Sequence, residues 1–319
     1  KEACVLKISK QLRADNQSLT LKNLTTDVPA GLAYTEHTFA WIHYFKEFNM
    51  IDCNSNGRIR LNSHKANIEG CAFTVTTSSG FDGYAVHYQG ADKSTVNVKS
   101  CTFNTAGKAI VMYNEGKPVF DLNVEDCTFT SSDPSTDKAA IQMHTEWGIS
   151  GTLDITGCTA TGFADVNGGL WNELNNNTKV PTYKFTITVD GATVQEAGYE
   201  KVSDGVYKKG VNYNVNNAAG LEYMNQIFAD KTAGRDVVLK LTADINFAGK
   251  TWTPVDSHAD SAFEIAEING NGHTISNMTI NGQAMFRRFA GSGDVVVKDI
   301  TFDNATVNST SINTSILTV

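Results

Sequence analysis

The residues of this chain best suited to chemistry are its seven histidines, four tryptophans and ten tyrosines. Imidazole can move a proton or hold a metal near neutral pH, and aromatic rings stack on the C–H faces of sugars or anchor a protein partner. No His-Glu-x-x-His phrase occurs, and the nearest histidine pair, His37 and His43, lacks the spacing of a helical ligand set, so no metal or other cofactor is expected. Carboxylates gather at Glu125 and Asp126, with Asp121, Asp133 and Asp137 close by. Glycoside hydrolysis needs two carboxyl groups at a set separation, and no such pair stands out. Gly270-x-Gly272 lacks a strand-to-helix setting and reads as a tight turn rather than a nucleotide loop.

The elements that position these residues come from a repeated phrase. It runs Leu19-x-Leu21-x-x-Leu24, Phe48-x-Met50-x-x-Cys53, Ala66-x-Ile68-x-x-Cys71-x-Phe73 and Val96-x-Val98-x-x-Cys101-x-Phe103. It continues as Leu122-x-Val124-x-x-Cys127-x-Phe129, Leu153-x-Ile155-x-x-Cys158-x-Ala160 and Ile187-x-Val189-x-x-Ala192-x-Val194. Counted at the Cys position, the intervals run from 18 to 34 residues. A short strand phrase separated by elastic loops is the mark of a solenoid. Its period of two puts the apolar residues on one face, and the two-residue gap before Cys is a bend. The expected fold is all-β, a parallel β-helix, right-handed by the general rule for parallel crossovers. Glu125 and Asp126 then sit at one such bend, where other coils carry Lys99 and Ser100 or Thr156 and Gly157, and read as solvated.

A second strand phrase alternates with the first: Ile42 to Phe45, Ile59 to Asn62, Val86 to Gln89, Ile110 to Tyr113, Ile141 to His144 and Leu170 to Glu173. Its first and third members are mostly apolar and should point inward, the second and fourth outward. The outward columns become His43, Arg60, His87, Val111, Gln142, Trp171 and Phe45, Asn62, Gln89, Tyr113, His144, Glu173. The candidate ligand-binding residues are therefore His43, Phe45, Arg60, His87, Tyr113, His144, Trp171 and Glu173, with Trp147 beside them; no catalytic residue is assigned.

Five cysteines, Cys53, Cys71, Cys101, Cys127 and Cys158, fall at one position of successive coils. Stacked parallel side chains about 4.8 Å apart do not meet disulfide geometry, so they should pack as free thiols. Cys4 follows Ala3 with no apolar region before it, and packing is the better reading there too. A formal charge of −8 without basic runs argues against nucleic acid or an anionic membrane as partner, and no apolar stretch is long enough to span a bilayer.

The repeat stops in the polar, glycine-bearing stretch 199–212, which divides the chain into residues 1–198, a parallel β-helix, and 199–319, a second β-helical segment expected to be truncated at its C-terminus. Asn217 should cap a helix with Leu221, Met224, Asn225 and Phe228 on one face, shielding the open end of the second stack. Val237-x-Leu239-x-Leu241 follows as a buried strand, and the coil phrase returns as His273-x-Ile275-x-x-Met278-x-Ile280 and Val295-x-Val297-x-x-Ile300-x-Phe302.

Asn217-Ala-Ala-Gly-Leu221, Leu241-Thr-Ala-Asp-Ile245, Trp252-Thr-Pro254 and Ile268-Asn-Gly-Asn-Gly-His-Thr-Ile-Ser-Asn277 come in that order. Together they resemble a module with β-helical repeats of the GLUG type, common in adhesin-like surface proteins of Gram-negative gut anaerobes. Where that family often has Gly-Leu-Phe-Gly, this chain has Ala284-Met285-Phe286-Arg287. Residues 19 to 198 are similar to pectin-lyase-like β-helices in architecture only. The resemblance implies an exported protein, extracellular or on the outer-membrane surface, anchored there as lipoproteins are or otherwise. The expected function is binding or adhesion, with a glycan or surface protein ligand as partner. The alternatives are a polysaccharide lyase or glycoside hydrolase, and a structural stalk. Gly272-His273-Thr274 and Arg58-Ile59-Arg60 only partly match the phrases of a polygalacturonase.

Overall fold

The computed structural model describes residues 5–7, 11–27, 38–75, 84–90, 92–114, 116–131, 139–163, 167–174, 182–229, 236–256, 265–288, 295–311 and 313–317. Cys4, His37, Asp133, Asp137 and the loop at 175–181 lie outside them. The chain forms two compact units, residues 1–178 with 183–197, and residues 179–182 with 198–319.

The first unit is a parallel β-solenoid with three strand faces per coil. The first face carries Gln11–Arg13, the opening halves of Thr38–Ile51 and Arg58–Glu69, then Val86–Tyr88, Ile110–Met112, Ile141–His144 and Trp171–Leu174. The second carries Ser18–Lys22, the closing halves of the same two long strands, then Lys93–Lys99, Val119–Glu125, Ser150–Thr156 and Phe185–Val189. Here the register is the one the repeat predicts: Val98 pairs with Ile68 and Val124, and Leu122 with Leu153. The third face runs from Val5–Lys7 through Ala72–Val75, Thr102–Thr105 and Thr128–Ser131 to Thr159–Thr161. Inside it Phe73, Phe103 and Phe129 stack with ring centroids 4.8 and 5.0 Å apart.

The bend between the second and third faces has one backbone solution. Asn23, Asp52, Gly70, Ser100, Asp126 and Gly157 all have φ between 51° and 63°, the left-handed region that Gly, Asn and Asp enter most readily. Their N–H groups donate to the next coil, Asp52 to the Glu69 carbonyl at 2.9 Å and Ser100 to that of Glu125 at 2.9 Å. The phrase at Ile187 to Val194 does not turn this corner: Phe185–Val189 folds back through Asp190 as an antiparallel hairpin with Ala192–Gln195. Asp126 is thus a corner residue, and Glu125 binds Lys99 at 2.9 Å, which accounts for Glu125 and Asp126 as an exposed bend. One residue beyond the bend, Cys53, Cys71, Cys101 and Cys127 point into the core and Cys158 is half-buried, all as free thiols. The thiols of Cys71, Cys101 and Cys127 each donate, at 3.2 Å, to the carbonyl two residues back.

The second unit opens with Glu200–Ser203, Val206–Lys209 and Asn212–Val215 as antiparallel neighbours, and Asn212–Val215 then pairs in parallel with Val237–Leu241. Asn217 caps the helix Ala218–Ala229 by accepting from the Gly220 N–H at 2.8 Å. Leu221, Met224 and Phe228 bury with Trp252 and Phe286, while Asn225 exchanges hydrogen bonds with the Thr253 backbone instead of joining the apolar face. In the coils that follow, the expected alignment of the two returning phrases is out of phase. Ile268 pairs with Val297, Ile275 with Phe302, and Ile280 with Val307. Apolar alternation with an intervening bend occurs twice per coil in this unit, at Asp299 and at Asn277 and Asn304, each with left-handed φ, so the sequence pattern matches itself in the wrong phase.

Candidate functional site

The candidate surface is the outward side of the first face of the first unit, where a bulge and a frame shift change which side chains share it. Tyr44 takes φ 61° and turns to solvent, so Phe45 pairs with Ser63 and enters the core. At the far end Trp171, not Leu170, pairs with Ile141, which buries Trp171 in the core and puts Asn172 beside Gln142. Phe45 and Trp171 are therefore core residues and not surface residues. The outward columns that result are Trp41, Arg60, His87, Val111, Gln142, Asn172, and beside them Arg13, His43 and Asn62. Sequence pattern alone missed Trp41, because Ile42 pairs with Leu61 and not with Ile59, two residues from the expected alignment, with a one-residue bulge following at Tyr44.

Glu173 is also drawn inward. Its carboxylate accepts from the backbone N–H groups of Lys184 and Phe185 at 2.7 and 3.2 Å and from Gln195 Nε2 at 2.6 Å. Burial pushes its carboxyl up. It terminates the first face and is not available to a ligand.

The remaining candidates form a run of rings along the stack. Trp41 and His43 lie 4.4 Å apart by centroid, and His43 and Tyr44 5.5 Å. Tyr84 and His87 are 5.3 Å apart, His87 and Tyr113 5.8 Å, Tyr113 and His144 5.9 Å, and Tyr113 and Trp147 5.7 Å. Guanidinium groups lie over the rings at the opening end: Arg13 on Tyr44 at 4.6 Å, Arg58 on Tyr84 at 5.2 Å and Arg60 on Trp41 at 4.8 Å. From Trp41 to the coil of Gln142 the run spans roughly 19 Å at the strand spacing of a sheet. Trp41, Tyr44 and Trp147 are exposed, 37%, 45% and 43% respectively, and edge a centre in which His43, His87 and His144 are buried.

Burial in this centre is not accompanied by full hydrogen bonding. His43 Nε2, Arg60 Nε, Asn62 Oδ1, His87 Nδ1 and Glu146 Oε2 are buried and meet no partner among the described residues. Buried polar atoms without partners are rare in native proteins and call for an explanation. Desolvation, reinforced by Arg60 and Arg13, lowers His43 to about 4, and desolvation with Arg60 lowers His87 to about 3. Both rings are neutral at pH 7. His144, also lowered by burial, is held by Glu146 with Nδ1 and Oε1 2.9 Å apart. Among the described residues no group of three or more His, Cys, Asp or Glu is placed to hold a metal ion, and no helix is long and apolar enough to cross a membrane.

No family model, no curated protein and no solved structure matches the chain.

Proposed function

We propose that the chain is an exported surface module that binds glycans, or a glycan-bearing surface ligand, along the first face of its first unit. The observation that carries this reading is the run of rings from Trp41 to Trp147 with polar tips and guanidinium groups beside it. Rings with a polar edge give contact area at low entropic cost and suit the alternating C–H and hydroxyl surface of a sugar. The sequence resemblance to adhesin-like proteins with GLUG-type repeats supports the same placement at the cell surface. A glycan array probed with the full chain and with a folded Tyr113→Ala, Trp147→Ala double variant tests it. Binding that is absent throughout, or identical in the two proteins, would sink the reading.

A second reading rests on one pair. His144 oriented by Glu146, with the Tyr113 ring beside it, has the make-up of a general acid–base group, as a polysaccharide-cleaving enzyme would need. Release of reducing or unsaturated ends from a polysaccharide panel, lost in Glu146→Gln, would favour it over binding alone.

A further inference from the structure

The hydrogen-bonding capacity left open on the first face has a definite character. His87 Nε2 lies 3.4 Å from the Tyr113 carbonyl oxygen. A carbonyl only accepts, so the ring proton sits on Nε2 and Nδ1 carries a bare lone pair. Asn62 Oδ1 and Glu146 Oε2 are acceptors as well, whereas Arg60 Nε can only donate. The open positions therefore mix acceptors with a donor on residues that neighbour one another: Arg60 pairs in register with His87, one coil on, and Asn62 lies two residues along the same strand.

Three kinds of ligand group can be compared against that set. A carboxylate or sulfate answers Arg60 but turns lone pairs toward the lone pairs of Asn62 and His87. An ammonium answers those acceptors but meets the charges of Arg13, Arg58 and Arg60, all on this side of the stack. A hydroxyl donates once and accepts twice, and two on adjacent carbons can serve a donor and an acceptor together. Arg60 Nε, Asn62 Oδ1 and His87 Nδ1 are themselves covered, so a ligand meets them only when the half-buried Arg60 and Asn62 side chains turn aside; His87 is fully buried. The partly exposed rings of Trp41 and Tyr44, each with a guanidinium over it, lie at the same end.

We propose that this face takes an uncharged saccharide unit, held through neighbouring hydroxyls by Arg60, Asn62 and His87 and stacked on the rings beside them. The proposal rests on the glycan-binding reading above and narrows it to neutral sugars.

The test is calorimetric titration of the full chain with neutral gluco-, galacto- and manno-oligosaccharides, and in parallel with oligogalacturonate and a sulfated oligosaccharide, each at low and high salt. The expected result is binding of a neutral oligomer with little salt dependence, because no charge pair is being screened. Arg60→Gln and Asn62→Ala should each weaken it about tenfold, the effect of losing one buried hydrogen bond. In the unaltered protein the ¹⁵N resonance of His87 Nδ1 should move on adding that sugar, which keeps the test decisive if either variant fails to fold. Preference for the acidic oligomers, with affinity falling as salt rises, overturns the neutral-sugar proposal and leaves glycan binding standing. Neutral-sugar binding that leaves the His87 resonance unmoved also overturns it, and assigns the open atoms to trapped water. Absence of binding to every oligomer overturns both.

Discussion

His87 Nε2 and the Tyr113 carbonyl oxygen, one coil apart at 3.4 Å, fix the tautomer of a histidine that is 1% exposed. Desolvation first, and Arg60 after it, hold that ring to about 3 against an ordinary 6.5. Protons bind the unfolded chain more tightly than the folded one throughout that interval. The stability His87 contributes is therefore complete above about pH 6.5 and is lost as pH falls toward 3, at about 1.4 kcal/mol per pH unit. The imidazole resonances of His87 should stay in their neutral positions from pH 8 to pH 5. His87→Phe should flatten the fall in unfolding midpoint between pH 7 and pH 5. Titration of His87 near pH 6.5 would contradict the burial that the site is built on.

The cysteine ladder makes a prediction that separates packing from hydrogen bonding. Cys101 Sγ donates to the Lys99 carbonyl at 3.2 Å and accepts from the Cys71 N–H at 3.4 Å, so the thiol joins two coils as well as filling space. If packing were all, Cys101→Val would be tolerated as a swap of similar volume. Valine can make neither hydrogen bond, so Cys101→Val should cost about 1–2 kcal/mol in urea unfolding, and Cys101→Ser, which keeps a donor and an acceptor, should cost less. Alkylation of the denatured, unreduced protein should label Cys53, Cys71, Cys101, Cys127 and Cys158, which the structure holds as free thiols; a protected pair among them would break the ladder.

How far the fold was legible in the sequence follows from how strictly each face constrains its residues. The second face and the bend after it recur with little freedom, since a residue in the left-handed region turns the corner and a small or apolar residue follows it into the core, and Asn23-Leu24, Asp52-Cys53, Gly70-Cys71 and Asp126-Cys127 state that outright. The first face is looser. Its apolar positions alternate correctly, but an added residue such as Tyr44 reverses sides without breaking the pattern, as does a one-residue shift at Trp171. Phe45 and Trp171 moved inward for that reason, while His43, Arg60, His87, Tyr113, His144 and Trp147 stayed together. The open hydrogen-bonding set was not legible, because it depends on which outward side chains become buried and on what they then fail to meet.

A second ladder, on the outer side of the second face, links coils by amide hydrogen bonds. Asn67 Nδ2 donates to Asn49 Oδ1 at 2.7 Å, Asn97 to Asn67 at 2.8 Å and Asn123 to Asn97 at 2.9 Å. Asn67 and Asn97 each give one proton to the coil before and accept one from the coil after, so a member that cannot donate breaks the chain at one joint. Asn97→Asp removes the donor and sets a carboxylate against Asn67 Oδ1. It should lower stability by about 1–2 kcal/mol at pH 7 and recover part of that below about pH 4, where the acid regains a proton to donate. Equal loss at both pH values would mean that the amide bonds are incidental to stacking.

Glu173 gives the sharpest separation of structural from ligand-binding roles on the first face. Three donors converge on its carboxylate, the Lys184 and Phe185 N–H groups and Gln195 Nε2. Glu173→Ala leaves them without an acceptor at the end of the strand Trp171–Leu174 and should cost about 2–4 kcal/mol. Glu173→Gln keeps one acceptor oxygen but turns its amide protons toward remaining donors, so it should fall between the parent and the alanine variant. Neither change touches Arg60, Asn62, His87, Tyr113 or Trp147, so under conditions where the variants are folded their glycan affinity should match that of the parent chain. Loss of affinity in a folded Glu173→Gln protein would return this residue to the binding surface and extend that surface one coil beyond His144.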